Sequence, residues 1–264
     1  MRGAAAAFPS IDRREIIMNI FQACYFGPTP ADAAILDRRS GPRARHRESG
    51  HGRVRFTARA GLLAMRGLAD ESRAASLRAD ELWEEVGAAP ALRLAIRQPV
   101  GEAERFLGRP EVADAIFREM AEQYAASGET GFNSTISALL ALSLCDQAKF
   151  DEAEVYAARS RRLAAEDDFA SQAGWRMTQA QVLLDRGDVG AALALADEAV
   201  AINGATDYPN WGGEGYEIRG TILLAAGRVP EARGAISEAL ARYERKGTVP
   251  WAERARLRLE ALGV

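Results

Sequence analysis

Lysine, cysteine and histidine are scarce in this sequence of 264 residues, with only two of each. Cys24 and Cys145 stand far apart and belong to no pairing or metal-ligand motif, which favours a reduced, cytoplasmic protein over a disulfide framework. Neither Lys149 nor Lys246 stands in a Gly-x-x-x-x-Gly-Lys-Ser/Thr loop, the motif in which backbone amides and a lysine hold phosphates. We therefore expect no nucleotide site of that type.

The sequence also lacks a long apolar run and a strong excess of either charge. No stretch approaches the ~18 uncharged apolar residues that a membrane-spanning helix needs, and "MRGAAAAFPS" is too short an apolar run for a signal peptide. The 34 basic and 37 acidic residues leave a net charge of -3, which attracts neither nucleic acid nor anionic lipid. We expect a cytoplasmic protein with no nucleic-acid, membrane or small-molecule partner.

A regular spacing dominates what is present. One small residue, glycine in all but one case, recurs at intervals of 39 to 41 residues, at Gly27, Gly67, Gly108, Ala148, Gly187 and Gly227. A fixed period of this size indicates a stacked array of similar units. Glycine after a helix adopts the left-handed conformation that ends the helix, so each of these residues marks a turn between two helices.

Small residues also recur on both sides of these turns. Seven residues before each turn from Gly67 onward, and five residues after it, every side chain is small: Ala60, Gly101, Ala141, Ala180 and Gly220 before, and Ser72, Ala113, Ala153, Ala192 and Ala232 after. Closely packed antiparallel helices need small residues where they touch. The pattern predicts an all-α fold, an α-solenoid of tetratricopeptide-like helical hairpins with a repeat of about 40 residues.

The repeat also predicts how the chain is organised. Residues 1–52 would form a degenerate N-terminal hairpin followed by a basic linker, and residues 53–264 would form five hairpins and a C-terminal capping helix. The predicted hairpins are Val54–Ala79, Leu94–Tyr124, Ser134–Ala164, Gln172–Ile202 and Glu214–Tyr243, with a degenerate hairpin at Ile11–Arg39 and a closing helix at Pro250–Leu262.

Several phrases resemble one bacterial family. "YFGPTPADAAI", "LAAEDDFASQAGWR", "ALADEAVAINGATDYPNW", "LLAAGRVPEARGAISEAL" and "RYERKGTVPWAERARLRLEAL" occur in that order. They resemble the C-terminal tetratricopeptide-repeat region of proteins that join a class III adenylate/guanylate cyclase domain to an AAA-type ATPase. The resemblance runs from about Tyr25 onward and is strongest over Phe150–Leu262. It implies a regulatory or protein-binding arm, without the two catalytic modules.

Other candidate sites have a structural interpretation that we favour. His46 and His51 could bind a metal, but they lie in a Gly-rich basic stretch, so a solvated linker is preferred and no metal is expected. Asp167 and Asp168 could serve acid–base chemistry, but they precede a helix, where aspartate caps free N–H groups. Cys145 is expected to be a packed, inert thiol. No catalytic residue and no cofactor is therefore predicted.

The binding residues follow from the solenoid. First helices line the concave face of such arrays, so we expect a partly apolar protein-binding groove, comprising Gln98, Ala138, Leu142, Met177, Gln181, Glu217 and Thr221. Met177, Gln181 and Glu217 are expected to be solvent-accessible. Trp175 and Trp211 are expected to pack between repeats, with a peptide contact as the alternative.

The first helix gives a second candidate surface. In "REIIMNIFQACYF" the apolar residues, including Ile16, Ile17, Ile20 and Phe21, cover nearly every direction around the axis. We expect this end to bind a protein partner or a second copy of the chain. The sequence thus predicts a non-enzymatic protein–protein interaction scaffold, and the resemblance implies that it is a regulatory repeat arm in bacterial signalling. The alternative is a detached or truncated regulatory fragment of an adenylate/guanylate cyclase–ATPase whose catalytic modules lie elsewhere.

Overall fold

The protein is built from helices alone over the part of the chain that the structure, a computed structural model, describes: residues 25–36, 50–85 and 97–263. No strand occurs in those ranges. The helices are α1 (Ala31–Leu36), α2 (Gly50–Met65), α3 (Ala69–Glu85), α4 (Gln98–Phe106), α5 (Pro110–Ser127), α6 (Gly131–Cys145), α7 (Phe150–Leu163), α8 (Phe169–Asp185), α9 (Val189–Gly204), α10 (Pro209–Ala225), α11 (Val229–Lys246) and α12 (Val249–Ala261). The predicted all-α solenoid is confirmed.

Consecutive helices from α2 to α11 pair as five antiparallel hairpins, and α12 follows the last of them. The turn residues take the left-handed conformation, with φ of 74° at Gly67, 70° at Gly108, 83° at Gly187 and 72° at Gly227. Ala148 takes it too, with φ of 57°, although its Cβ makes that conformation costly. Gly27 is not among the described residues with positive φ, so the first predicted turn differs from the others.

The predicted rows of small residues are where the two helices of each hairpin meet. Eight of the ten carry a side chain, and each of these eight is at most 2% exposed. A Cβ added to Gly101 would lie 2.5 Å from the Phe117 ring, and one added to Gly220 would lie 2.7 Å from Ile236. Because real Cβ atoms do not come so close to other atoms, only glycine fits at these two crossings.

The chain coils so that its C-terminal helices contact its N-terminal ones. We call this contact the junction; it joins residues 25–36, α2 and α4 to α10, α11 and α12. The buried ammonium group of Lys246 donates hydrogen bonds to the backbone oxygens of Gly27 (2.8 Å) and Thr29 (2.9 Å). The rings of Phe106 and Trp251 meet edge to face with centroids 4.8 Å apart. The two ends of the array are therefore held together directly.

The division at residue 52 stays a prediction, because residues 1–24 and 37–49 lie outside the described ranges. The helix that follows the predicted linker begins at Gly50. No described helix combines the length and the apolar character that crossing a bilayer would require.

Candidate functional site

The predicted groove is not an open surface. Ala138, Leu142 and Met177 are at most 1% exposed, and Glu217 is 6% exposed. Gln98 and Gln181 are half-buried, and Thr221 is exposed. The expectation that Met177 and Glu217 are solvent-accessible is therefore wrong.

The packing around Met177 explains its burial. Its sulfur receives a long hydrogen bond from the Asn203 side chain at 3.9 Å, and a Cβ on Gly215 would lie 3.6 Å from the same sulfur. Met177 thus fills the space between α8, α9 and α10, and belongs to a hydrophobic core cluster. The binding role of the groove residues stays a prediction, and it requires the interior of the array to open.

Glu217 is buried because three side chains neutralise and bind it. Arg254 donates to both carboxylate oxygens at 2.9 and 2.6 Å, and Arg258 donates at 3.1 Å. The hydroxyl of Tyr243 donates at 3.0 Å. Burial alone would raise the pKa of Glu217, but the arginines and these hydrogen bonds lower it overall. This carboxylate ties α10 to α11 and α12, and is not presented to a ligand.

A second buried ionic cluster lies at the junction and centres on Arg105. Its guanidinium donates to Asp146 at 2.9 Å and to both carboxylate oxygens of Glu214. The indole N–H of Trp251 donates to the backbone oxygen of Arg105 at 3.4 Å. Burial alone would lower the pKa of Arg105, but the carboxylates of Asp146 and Glu214 raise it overall. Arg105 therefore connects α4, α6, α10 and α12 as a permanent cation.

A small cavity lies beside this cluster. Its volume is about 20 Å³, enough for one water molecule. Residues from both sides of the junction form its walls, namely Tyr25, Phe26, Met65, Glu102, Arg105, Phe106, Leu139, Asn210, Trp211, Glu214 and Trp251. One oxygen of Glu102, Oε2, is buried without a hydrogen-bond partner among the described residues.

Both tryptophans singled out in the sequence are packed, which confirms the favoured interpretation. Trp175 is 7% and Trp211 is 6% exposed. The Arg176 guanidinium lies over the Trp175 ring at 4.1 Å, and a Cβ on Gly174 would lie 3.3 Å from the Trp211 ring. Of the N-terminal candidates, Ile16, Ile17, Ile20 and Phe21 all lie outside the residues that the structure describes.

The two remaining chemical candidates have structural roles. Asp168 is the N-cap of α8 and accepts a hydrogen bond from the backbone N–H of Ser171 at 3.1 Å, as predicted. Cys145 is a buried free thiol whose pKa is raised by burial, so it is protonated and unreactive at neutral pH. Within residues 25–36, 50–85 and 97–263, no three His, Cys, Asp or Glu side chains are grouped as a metal site.

Two exposed phenylalanines, which the sequence analysis missed, lie at the N-terminal ends of neighbouring helices. Phe132 in α6 is 54% exposed and Phe169 in α8 is 50% exposed. The helix ends are fixed to each other, because the hydroxyl of Ser134 donates to Asp168 at 2.9 Å. Phe132 also stacks on Tyr124 with ring centroids 5.9 Å apart. We call these helix ends and their loops the phenylalanine rim.

The fold and its interior define a helical-hairpin solenoid whose ends meet. The family model described as "Tetratricopeptide repeat-like domain" matches residues 56–264, and the chain belongs to this family. No curated protein matches the sequence.

Two solved structures are similar. The crystal structure of BtubC (BKLC) from P. vanneervenii has 19% identity and a TM-score of 0.49, and the match covers 90% of this chain and 92% of that one. The TPR2AB-domain:pHSP90-complex of yeast Sti1 has 14% identity and a TM-score of 0.39, with coverage of 96% and 98%.

Proposed function

We propose that this chain is a non-enzymatic protein–protein interaction scaffold that acts as a regulatory repeat arm in bacterial signalling. Membership of the tetratricopeptide repeat-like family supports the scaffold, because repeat folds of this kind are typically non-catalytic and bind proteins through extended surfaces. The signalling role rests on the phrases that resemble the repeat region of cyclase–ATPase proteins. A protein or peptide is the expected partner.

The phenylalanine rim is the observation that carries this proposal. Exposed aromatic side chains on rigid elements are typical anchors of protein interfaces, because they bury a large apolar area at little cost in conformational entropy. Phe132 and Phe169 are each at least half exposed and stand on helix ends that a hydrogen bond joins. The rim is therefore preorganised for binding.

Charges around the rim indicate what kind of segment would bind there. The loops before the two helices carry Glu129, Glu166 and Asp167, and no lysine or arginine occurs between Glu119 and Ala148. The basic residues nearest the second loop, Arg161 and Arg162, lie in the last turn of α7, and Arg161 lies over the Trp175 ring. Basic side chains of a partner could pair with these carboxylates and lie over the aromatic rings. We propose that the rim binds a segment with both apolar and basic side chains.

A second association surface is proposed at the N-terminal end, from the apolar residues Ile16, Ile17, Ile20 and Phe21. It would join a partner or a second copy of the chain. Light scattering over a range of concentrations tests self-association, and a monomer at every concentration would contradict it.

The rim proposal is tested with a pair of matched double variants. Proteins captured by the full chain from its native cell extract are identified, and the affinity of the purified partner is then measured. Phe132→Ala/Phe169→Ala should weaken binding at least tenfold, about 1.4 kcal/mol. Leu77→Ala/Val155→Ala removes side chains that are 59% and 64% exposed on other helices, and should bind like the wild type.

Two outcomes would contradict the proposal. Equal affinity of the phenylalanine variant and the wild type, with unchanged thermal unfolding, would exclude the rim as the interface. Turnover by the purified chain that a single substitution abolishes would exclude a purely scaffolding role.

A further inference from the structure

The junction buries more negative than positive charge around its cavity. Glu102 and Glu214 both line the cavity, and Asp146 approaches from α6. The hydrogen bonds of Arg105, the cation at the centre, go to Asp146 and Glu214. Asp146 is 36% exposed, so solvent screens its charge, and the hydrogen bonds of the nearby Arg254 go to Glu217. The two buried carboxyl groups of the lining, Glu102 and Glu214, are thus left with Arg105, which is hydrogen-bonded to Glu214 and not to Glu102. An ionised Glu102 would be a buried charge without a hydrogen-bonded counterion, and such a charge is costly. The burial and the unpaired oxygen of Glu102 therefore favour a proton on this carboxyl group in the closed array.

The surroundings of Glu102 make it the group that keeps the proton. Its side chain is 5% exposed, and Oε2 has no hydrogen-bond partner among the described residues. Burial raises the pKa of Glu102 to about 8, and Glu214 adds to the rise. Hydrogen bonding to Tyr25 and the charge of Arg105 oppose the rise but do not cancel it.

Glu102 also lies where the two sides of the junction meet. Tyr25, from the N-terminal segment, packs so closely on α2 that a Cβ on Gly61 would lie 2.3 Å from its ring. Glu214 of α10 and Trp251 of α12 form the opposite wall of the cavity. Separation of these walls would expose the Glu102 carboxylate to bulk water.

We propose that the junction is a proton-dependent latch: a protonated Glu102 keeps the two ends of the array together, and loss of this proton lets them separate. The direction of the pH dependence follows from the change in the pKa of Glu102 between the open and the closed array. The pKa of Glu102 rises from 4.5 to about 8 in the closed array. The contribution of Glu102 to closure is therefore full below pH 4.5, is lost as pH rises toward about 8, and is constant above that. The pKa of Glu214 is raised as well, so it acts in the same direction.

The latch bears on the predicted groove. Leu142 and Met177 are buried inside the closed array, so a partner could reach them only after the interior opens. This inference does not depend on the phenylalanine rim, which is exposed in the closed array.

Hydrogen exchange of the full chain tests the latch. Opening constants of the amide groups in residues 25–36 and in α12 are measured from about pH 5 to about pH 9. Each is divided by the opening constant of α6–α9 at the same pH, and this ratio corrects for the intrinsic pH dependence of exchange. The ratio should increase by up to about tenfold per pH unit and level off above about pH 8. A ratio that does not change with pH would overturn the proposal.

Matched variants separate the proton from general weakening of the junction. Glu102→Gln should remove most of the rise near neutral pH, whereas Glu104→Gln, on the same helix but paired with Arg109 at 2.6 Å, should keep the wild-type profile. The same profile for Glu102→Gln and the wild type would overturn the proposal.

A third variant keeps the test decisive if Glu102→Gln fails to fold. Tyr25→Phe removes a hydrogen bond that lowers the pKa of Glu102, so the levelling-off should move to higher pH. A purely structural role of the hydroxyl would give uniformly faster exchange without this shift, and that result would overturn the latch.

Discussion

The inside of a hairpin and the junction are held together by different kinds of contact. In the hairpins, small apolar residues repeat at fixed positions and touch residues nearby in the sequence, as Gly220 does with Ile236. At the junction, single polar residues join distant parts of the chain: Arg105 pairs with Glu214 across 109 positions, and Lys246 binds Gly27 across 219. A repeat therefore encodes the packing of neighbours, while the closure of the array depends on residues that occur once.

The largest effect should come from removing the central cation of the junction. Arg105→Met leaves the Glu214 carboxylate without its main hydrogen-bond partner. Both side chains of this pair are buried, with exposed fractions of only 3% for Arg105 and 11% for Glu214. We expect the free energy of unfolding to fall by about 3–5 kcal/mol, the usual result of breaking a buried ion pair on one side. Urea denaturation followed by circular dichroism measures this.

Two further variants show whether the cost comes from the buried charge. Arg105→Met/Glu214→Met should recover part of the loss, because it removes the carboxylate that the single variant leaves unpaired. Arg186→Met, which breaks an exposed ion pair with Glu154, should leave the midpoint nearly unchanged. If Arg186→Met lowered the free energy of unfolding as much as Arg105→Met, the buried ion pair of the junction would contribute no more to stability than an exposed one.

Overpacking a hairpin should have an intermediate effect. Ala192, in α9, is fully buried, whereas Ala194, two residues on, is exposed. Ala192→Leu should lower the free energy of unfolding by about 1–3 kcal/mol, since the larger side chain forces the two helices of one hairpin apart. Ala194→Leu should change it by less than about 0.5 kcal/mol. Equal midpoints for the two variants would show that the assigned register of the repeat is wrong.

The hairpins could be predicted because their determinants recur at fixed positions five times. The junction could not be predicted, because in the sequence its charged residues resemble those of a solvent-exposed helix face. One signal was available: Arg105 stands three residues before its turn, where the other repeats have Ala64, Cys145, Leu184 and Leu224. A charge in an otherwise apolar row indicates a buried polar contact, but its partner depends on how the array coils. The burial of Met177 was missed because it depends on how α8 packs against α9 and α10.

The smallest effect tests the one turn that departs from the repeat. Ala148 has φ of 57° where Gly187 has 83°, so alanine adopts a conformation that favours glycine. Ala148→Gly should raise the free energy of unfolding by up to about 1 kcal/mol, because relief of the left-handed strain outweighs the added entropy of the unfolded chain.

Gly187→Ala is the reverse change in a comparable turn. A Cβ there would meet no atom within 4 Å, so the substitution tests backbone strain alone. The free energy of unfolding should fall by about 1 kcal/mol, as measured by thermal unfolding of both variants side by side. If Ala148→Gly destabilises the protein while Gly187→Ala does so too, the alanine turn must be held by contacts of its own. The turns would then not be equivalent, and the contrast between a uniform repeat and a unique junction would be weaker than the structure indicates.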